Sequence, residues 1–381
     1  MKRFTAVAAL LLPLAAAALP VPDAPRLPAR SYLLYDHESG QTLAAREPAL
    51  RVEPASLTKL MLTYVAFEEL EQGRIKETDQ ALISEKAWRQ GIDSKESRMF
   101  IEVGKRVSVG DLLHGIIVQS GNDASVALAE HLGGTEATFA ELMNRYARQL
   151  GMTDTHFANA TGVPAEGQHT TAQDMALLCR ALIRDFPARY ALFKEREFTF
   201  NNIRQPNRNR LLWRDPAVDG IKTGHAEKAG YHLAASAVRD GRRLIAIVLG
   251  ADNEGTRADA SLALLNFGFR FYETVALTDP GQALLKVRAW KGADKELNLG
   301  LAAPLVVSIP HGGRERLQLE PATAGPVHAP VAAGQELGTL KVMLDGKVLR
   351  EEPLVALAAL PEGNLWRRVS DGVQLWMQDT F

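Results

Sequence analysis

The hydrophobic pattern of the chain changes near Thr274, and this change limits the fold more than any other feature of the sequence. From Ser31 to about Tyr272, apolar runs typical of strands alternate with segments of helical periodicity. After Thr274 the helical periodicity disappears, and Gly and Pro separate short β-like stretches at residues 305–309, 317–319, 327–331 and 339–344. A chain of 381 residues is long enough for two domains. The sequence therefore predicts an α+β domain over residues 19–274, followed by a small all-β domain over residues 275–362.

Two turn signals indicate how the strands of the first domain pair. The segment 38–40, Glu-Ser-Gly, joins two short apolar runs at residues 31–36 and 41–45. Further along, Asp240 and Gly241 lie between apolar runs, and an Asp-Gly pair in that position is a strong hairpin signal. Because several helical segments lie between the two hairpins, the sequence favours an antiparallel sheet flanked by helices over a series of βαβ units.

The amino terminus has the pattern of a secretory signal peptide. Lys2 and Arg3 precede an uncharged apolar run over residues 4–18, whose last three residues are Ala16-Ala17-Ala18. A membrane span is the alternative, but a span needs about 20 apolar residues, and prolines follow this run at once. We therefore expect cleavage after Ala18 and an exported protein. Cys179 is the single cysteine, and export without paired cysteines is typical of a bacterial periplasmic protein.

Composition makes several classes of ligand poor candidates. The formal net charge is −1, so no global basic field would attract nucleic acid. The sequence has no Gly-x-x-x-x-Gly-Lys loop for a nucleotide and no His-Glu-x-x-His pattern for zinc. His169 and Asp174 could imitate part of a zinc site, but no second matching cluster accompanies them. We expect no metal and no cofactor.

The segment around Ser56 predicts a nucleophile. Pro54 suits the first turn of a helix, and a mostly apolar helical pattern follows it. Ser56 and Lys59 are three residues apart, so their polar ends share one helical face. A serine hydroxyl becomes a good nucleophile when a neighbouring base takes its proton, and a desolvated lysine can be that base. Without further motifs, such a pair more often lies on a solvent-exposed helix face and has no catalytic role.

Two further motifs strengthen this interpretation. Ser120-Gly121-Asn122 lies between two helical segments, where a simple turn is the alternative. Residues 222–224, Lys-Thr-Gly, lead into the second hairpin, where an exposed sheet edge carrying a lysine is the alternative. Ser-x-x-Lys, Ser-x-Asn and Lys-Thr-Gly in this order are typical of class A β-lactamases and penicillin-binding proteins.

The chain closely resembles the low-molecular-mass penicillin-binding proteins, the D-alanyl-D-alanine carboxypeptidases of the penicillin-binding protein 5/6 type. Besides the three motifs, the likeness includes residues 151–157, 174–177 and 219–225, the β domain and the carboxyl-terminal tail. It covers nearly everything after the signal peptide. The resemblance implies the serine β-lactamase/penicillin-binding-protein-like transpeptidase fold, an antiparallel sheet flanked by helices.

The resemblance also implies roles for the motif residues. Ser56 would be acylated by the substrate, and Lys59 would be its general base. Ser120 would relay the proton to the leaving D-alanine or help to activate the deacylating water. Asn122 would bind the substrate amide.

The remaining implied residues recognise the substrate or support the site. Lys222 would attract the terminal carboxylate and lower the pKa of Lys59, and Thr223 would hydrogen-bond the carboxylate. Gly224 would let the peptide lie against the strand edge, and the backbone N–H groups of Ser56 and His225 would form an oxyanion hole.

Two further details concern the surroundings of the motif residues: one is an implied ion pair, and the other is a departure from the family. Asp174 stands three residues after Thr171, where helix capping is the plain interpretation, and the resemblance implies an ion pair with Arg208 that braces the site. Ala226 stands where the family leads us to expect a threonine, which affects fine substrate contacts.

The implied function is a periplasmic serine D,D-carboxypeptidase that removes the terminal D-alanine from peptidoglycan pentapeptides and is acylated by β-lactam antibiotics. Such an enzyme would act in cell wall biogenesis and cell shape. One alternative is a weak β-lactamase, although Glu166 lacks the Glu-x-x-Leu-Asn context of class A enzymes. The other is a penicillin-binding sensor or scaffold without turnover, which would have no need of a proton relay.

The tail over residues 363–381 has the pattern of an amphipathic helix. The apolar side would carry Trp366, Val369, Val373, Trp376, Met377 and Thr380. The segment is too short and polar to span a bilayer, and its tryptophans favour a helix lying on the periplasmic face of the inner membrane. A core element of the β domain is the alternative.

Overall fold

The computed structural model describes residues 21–90, 92 and 96–380, with backbone only for residues 378–380. Residues 23–274 form one compact unit, and the residues from Val275 onward belong to a second unit. The predicted signal peptide, residues 1–18, lies outside the described residues.

The first unit contains nine strands and nine helices among the residues that the structure describes. The strands are β1 (Ala29–Asp36), β2 (Thr42–Arg46), β3 (Gln80–Leu82), β4 (Arg106–Ser108), β5 (Glu197–Phe200), β6 (Ile203–Pro206), β7 (Val218–Ala226), β8 (Gly230–Arg239) and β9 (Arg242–Ala251). The helices are α1 (Thr58–Glu71), α2 (Glu85–Gln90), α3 (Val109–His114), α4 (Asn122–Gly133), α5 (Glu136–Gln149), α6 (Ala172–Asp185), α7 (Pro187–Tyr190), α8 (Leu211–Arg214) and α9 (Glu254–Phe271).

Five of these strands form the central sheet, in the order β2-β1-β9-β8-β7. All four pairings in this sheet are antiparallel, and both predicted hairpins are present as β1-β2 and β8-β9. The antiparallel sheet flanked by helices is therefore confirmed. Strand β7, which carries the Lys-Thr-Gly motif, is at the edge of the sheet.

Helices cover both faces of the sheet because its central strands are apolar on both sides. Side chains on a strand point alternately to opposite faces. Ile245 and Ile247 of β9 are buried in a core that also contains side chains of α1 and α6. Leu244 points the other way, and a Cβ at Gly268 of α9 would lie only 2.6 Å from it. Gly268 therefore lets α9 approach the second face closely.

The second unit is built from β-strands, as predicted. Its strands are β10 (Tyr272–Thr278, which begins in the first unit), β11 (Leu285–Trp290), β12 (Glu296–Gly300), β13 (Leu305–Pro310), β14 (Leu317–Thr323), β15 (Val327–His328), β16 (Glu336–Leu344) and β17 (Lys347–Ala356). Six of them form a sheet in the order β14-β16-β17-β12-β11-β15, and β10 pairs with β13. Sequence patterning identified four of these strands but missed β10, β11, β12 and β17, whose polar residues obscure the alternation.

The predicted terminal helix is α10, Leu365–Thr380. Its polar side contacts the rest of the second unit, to which the helix belongs. Lys291 N donates to Asp371 and Arg288 Nη2 donates to Gln374, both at 2.6 Å. Its apolar side is open to solvent, with Trp366 84% and Trp376 63% exposed. The apolar face is therefore not part of the core of the β domain. Among the described residues, no helix has the length and apolarity needed to cross a bilayer.

A buried ion pair ties the central sheet to the end of the first unit. The carboxylate of Asp36, at the end of β1, is fully buried and lies 3.0 Å from Arg242 Nε. Thr274 Oγ1 donates to the same carboxylate at 2.5 Å, and Ser39 N donates at 2.9 Å. Removing one partner of a buried pair leaves the other charge desolvated and uncompensated.

We predict that Asp36→Ala lowers the free energy of unfolding by about 3–5 kcal/mol, as measured by urea denaturation at pH 7. The matched control is Glu197→Ala, which removes an exposed ion pair with Arg204 and should cost less than about 1 kcal/mol. Equal losses in the two variants would show that Asp36 is not an anchor.

The same carboxylate should contribute to acid sensitivity. Burial alone would raise the pKa of Asp36, but the hydrogen bonds from Thr274 and Ser39 and the charge of Arg242 bring the pKa below its ordinary value of 3.8. A carboxylate with a lowered pKa stabilises the fold above that ordinary value and loses this contribution as the pH falls through the folded pKa. Asp36→Ala should therefore flatten the dependence of stability on pH below about 4.

Candidate active site

Ser56 lies in a short 3-10 turn, Ala55–Leu57, that leads directly into α1. Pro54 precedes this turn, and Leu57 N donates to Pro54 O at 3.1 Å. Ala55 has a φ of 47°, in the left-handed region where residues other than glycine are uncommon. Such strain persists where the surrounding contacts overdetermine the conformation, and it is frequent at functional sites.

Lys59 occupies the first turn of α1, and its amine is buried among polar acceptors. Only 1% of the residue is exposed. Nζ donates to Ser56 Oγ at 3.0 Å, to Asn122 Oδ1 at 2.7 Å and to Thr161 O at 2.5 Å. The helical spacing predicted the contact with Ser56, and the structure has it.

The pKa of Lys59 falls from its ordinary value of 10.5 to about 7, mainly because burial disfavours the charged form. The negative charges of Glu96 and Asp123 oppose the shift, and the positive charge of Arg208 adds to it. Burial also lowers the pKa of Lys222, and the positive charges of Lys59, Arg208 and Arg257 add to this shift. Repulsion between the two amines is mutual, so each disfavours protonation of the other.

Ser120 lies between a π-helical turn, Gly115–Gln119, and the start of α4. Its φ of 67° places it in the left-handed region. Its Oγ is buried, and it has no hydrogen-bond partner among the residues that the structure describes. A buried hydroxyl without a partner is costly, and this one belongs to a residue lining the cleft, where a substrate or water could bind it.

The Lys-Thr-Gly motif lies on β7, next to the turn that carries Ser56. A Cβ at Gly224 would lie 3.3 Å from Ala55 Cβ and 3.4 Å from Ser56 N. This tight spacing favours a residue without a side chain. Lys222 is 3% exposed, and its Nζ donates to Thr223 O at 3.2 Å. The ring of His225 lies on that of Tyr231, with centroids 4.2 Å apart.

These elements enclose a cleft of about 480 Å³ in the first unit. Of the residues singled out in the sequence, the cleft is lined by Ser56, Ser120, Asn122, Arg208, Thr223, Gly224, His225 and Ala226. Lys59 contacts this set from its buried position. Glu166 is exposed and is not among the lining residues. Within the described part of the chain, no group of three or more His, Cys, Asp or Glu side chains could hold a metal ion.

The predicted ion pair between Asp174 and Arg208 is wrong. Among the described residues, Asp174 accepts hydrogen bonds from Asp154 N at 2.9 Å and from Thr155 Oγ1 at 2.7 Å. Its position in the first turn of α6 directs it to that neighbouring segment, and Thr171 caps the helix. Arg208 lines the cleft instead. Asp174 is therefore a structural residue of the α6 terminus.

Sequence reasoning missed three features of the site. Thr161 binds the Lys59 amine through its main-chain carbonyl, and Gly162 packs so closely that a Cβ would lie 1.8 Å from Ala55 O. Gly162 has a φ of +88°, and this glycine was the one signal available. Arg257 is 5% exposed and donates to Gly224 O at 3.0 Å, but no motif surrounds it.

Both units match known protein families. Residues 19–253 match the family described as D-alanyl-D-alanine carboxypeptidase, and residues 272–362 match the C-terminal domain of penicillin-binding protein 5.

The curated relatives and solved structures agree with these matches. The chain is 43% identical over 376 residues to D-alanyl-D-alanine carboxypeptidase DacC of Escherichia coli K12, covering 98% of this chain and 94% of that protein. It is 42% identical to DacA of the same organism, covering 95% and 91%. Penicillin-binding protein 5 from Haemophilus influenzae has a similar crystal structure, with a TM-score of 0.87 and 39% identity over 90% of this chain and all of that one. The chain belongs to the D-alanyl-D-alanine carboxypeptidase family.

Proposed function

We propose that this protein is a serine D-alanyl-D-alanine carboxypeptidase that removes the terminal D-alanine from peptidoglycan pentapeptides through an acyl-enzyme on Ser56. One observation carries the proposal: a buried amine whose pKa is lowered to about 7 lies 3.0 Å from the Ser56 hydroxyl. Membership of the carboxypeptidase family supports the same reaction.

The first half-reaction starts from neutral Lys59. Its Nζ takes the proton of Ser56 Oγ as the oxygen attacks the carbonyl carbon of the penultimate D-alanine. The carbonyl oxygen becomes an oxyanion, which the backbone N–H groups of Ser56 and His225 would stabilise. The closeness of Gly224 to Ser56 N supports this arrangement, because it brings β7 beside the nucleophile.

Collapse of the tetrahedral intermediate breaks the C–N bond and releases D-alanine. The departing amine must receive a proton, and Ser120 Oγ, which has no hydrogen-bond partner in the described part of the chain, is suited to relay it from Lys59. Water then attacks the acyl carbon and Lys59 takes a proton from it. The C–O bond to Ser56 breaks, and Ser56 Oγ takes the proton from Lys59 as the shortened peptide leaves with a new carboxyl group. Asn122, which accepts from Lys59, would also orient the peptide amide.

The substrate carboxylate would bind at the cationic end of the cleft. Arg208 lines the cleft, and Lys222 lies beside Thr223 on β7. Burial lowers the pKa of Lys222, but an anionic substrate would favour its protonated form. Because β7 is an edge strand, an extended peptide could lie along it. A β-lactam would acylate Ser56 in the same way, with its leaving amine still attached to the acyl group.

We test this function by incubating the mature protein with diacetyl-Lys-D-Ala-D-Ala and measuring free D-alanine. Ser56→Ala should abolish both D-alanine release and covalent labelling by a fluorescent penicillin, because it removes the attacking oxygen. Glu166→Ala is the matched control in an exposed position outside the cleft and should leave both readouts unchanged.

The outcomes separate this function from its alternatives. Stoichiometric labelling without release of D-alanine would favour a sensor, and rapid loss of the label with a hydrolysed drug would favour a β-lactamase. Labelling that persists on another serine in Ser56→Ala would refute the assignment of the nucleophile.

Activity should rise with pH through about 7, because Lys59 is an effective base only when its amine has lost the proton. Lys59→Arg should lower kcat/KM by at least about 1,000-fold at every pH, because a guanidinium remains protonated. The measurement is kcat/KM between pH 5 and pH 10. A flat wild-type profile, or a fully active arginine variant, would contradict a lysine base.

We further propose that the mature protein acts at the periplasmic face of the inner membrane, where it would contribute to cell wall biogenesis and cell shape. The predicted signal peptide supports export, and the solvent-exposed apolar face of α10 supports attachment to a lipid surface. The helix would lie flat, with tryptophans at the interface.

A shortened chain that ends at Gly363 should therefore be active on small peptides but should not sediment with lipid vesicles, whereas the full mature chain should sediment. Trp366→Ser with Trp376→Ser in the full chain is the matched control. This double variant keeps α10 but loses much of its apolar face, so it should bind vesicles at least about tenfold more weakly. Equal sedimentation of the full and shortened chains would exclude α10 as the anchor.

A further inference from the structure

A fully buried histidine bridges the central sheet to the segment that carries the nucleophile. His232 lies on β8, directly opposite Gly224 of β7, and none of its surface is exposed. Its Nε2 lies 3.0 Å from Glu53 O, and Gly250 N donates to its Nδ1 at 2.9 Å. Glu53 is only three residues before Ser56.

These two contacts fix the state of the ring. Because Nδ1 accepts a hydrogen bond from Gly250, it carries no proton. Nε2 must then carry the proton that is donated to the Glu53 carbonyl. Burial lowers the pKa of His232 to about 4, so the ring is neutral at the pH where the enzyme works.

The sheet is adapted to this histidine. The pairing of β8 with β9 shifts register between Tyr231 and Leu233, where a β-bulge interrupts the ladder. Gly250 of β9 has a φ of +72°, and its N–H bonds the imidazole. Bulges are frequent beside active sites, where they redirect a side chain. Here the bulge places the N–H of Gly250 where it donates to Nδ1 of His232, so the ring accepts a hydrogen bond at that atom.

The segment that carries the nucleophile, residues 52–57, has few other hydrogen bonds to the central sheet. Val52 pairs with Thr170, which precedes α6, and Leu57 bonds within its own turn. Within the described residues, the bond from His232 is the hydrogen bond that joins Glu53 to β8. The oxyanion hole proposed above takes one N–H from Ser56 and one from β7, so its geometry depends on the distance between these two elements.

We propose that His232 is a positioning residue, which holds the Ser56 turn against the sheet and thereby sets the geometry of the oxyanion hole. This inference rests on the proposed function. A positioning defect of this kind affects the transition state more than the bound substrate, because the oxyanion forms only as Ser56 attacks.

The test compares His232→Leu and His232→Gln with the wild type in the full mature chain. His232→Leu removes both hydrogen bonds, and its kcat and its rate of acylation by a fluorescent penicillin should fall about 100-fold. KM should change less than about threefold. His232→Gln keeps a donor and an acceptor, so it should recover at least about a tenth of the wild-type kcat.

His37→Leu is the matched control. This histidine follows β1, burial also lowers its pKa to about 4, and it does not line the cleft. It should leave kcat within about twofold of the wild type. A folded His232→Leu protein with kcat within threefold of the wild type would overturn the proposal, as would a loss that His232→Gln does not relieve.

A measurement on the wild type alone covers the case in which His232→Leu fails to fold. In ¹⁵N-labelled protein at pH 6, the His232 ring should be neutral with its proton on Nε2. A charged ring, or a proton on Nδ1, would overturn the proposal. Absence of D-alanine release by the wild type would instead refute the proposed function, and penicillin acylation would still report on the positioning of Ser56.

Discussion

The buried amine of Lys59 is the constraint on which the rest of the site depends. A lysine with a pKa near 7 in the folded state and 10.5 in the unfolded state costs on the order of 4 kcal/mol at pH 7. Between these two values the unfolded chain binds more protons, so the stability of the fold rises with pH across this range. The large apolar core around α1 must offset this cost. In return, the protein holds a neutral base beside a hydroxyl at neutral pH.

Helical and sheet elements contribute different parts of the site, and it works only if their spacing is fixed. The helical part supplies Ser56, Lys59 and Asn122, and the Lys59 amine donates hydrogen bonds to the other two side chains. The sheet supplies the edge strand with Thr223 and Gly224. Glycines at the junction allow the close approach, as at Gly224 beside Ser56 N.

The sequence was sufficient to predict the fold class and the main cluster, because both depend on patterns that are local in the chain. The three-residue spacing of Ser56 and Lys59 anticipates a contact within one helix turn. The ion pair of Asp174 with Arg208 was wrongly predicted because it required knowing where two distant loops meet. His232 was missed because an isolated histidine on an apolar strand has no distinguishing pattern, and its partners are backbone groups.

The hydrogen bond from Lys59 to the loop at Thr161 affects which residues of that loop can change during evolution. The amine donates to the main-chain oxygen of Thr161, which every amino acid possesses. The base can therefore keep this anchor when residue 161 changes, and the cost falls on the loop, where Thr161 Oγ1 donates to Asn159 Oδ1 at 3.2 Å and accepts from Val163 N at 3.3 Å. Gly162, next to it, has less freedom, because any side chain would collide with the Ala55 carbonyl. Adaptation of this enzyme to new peptides or drugs should thus tolerate change at the first of these positions more readily than at the second.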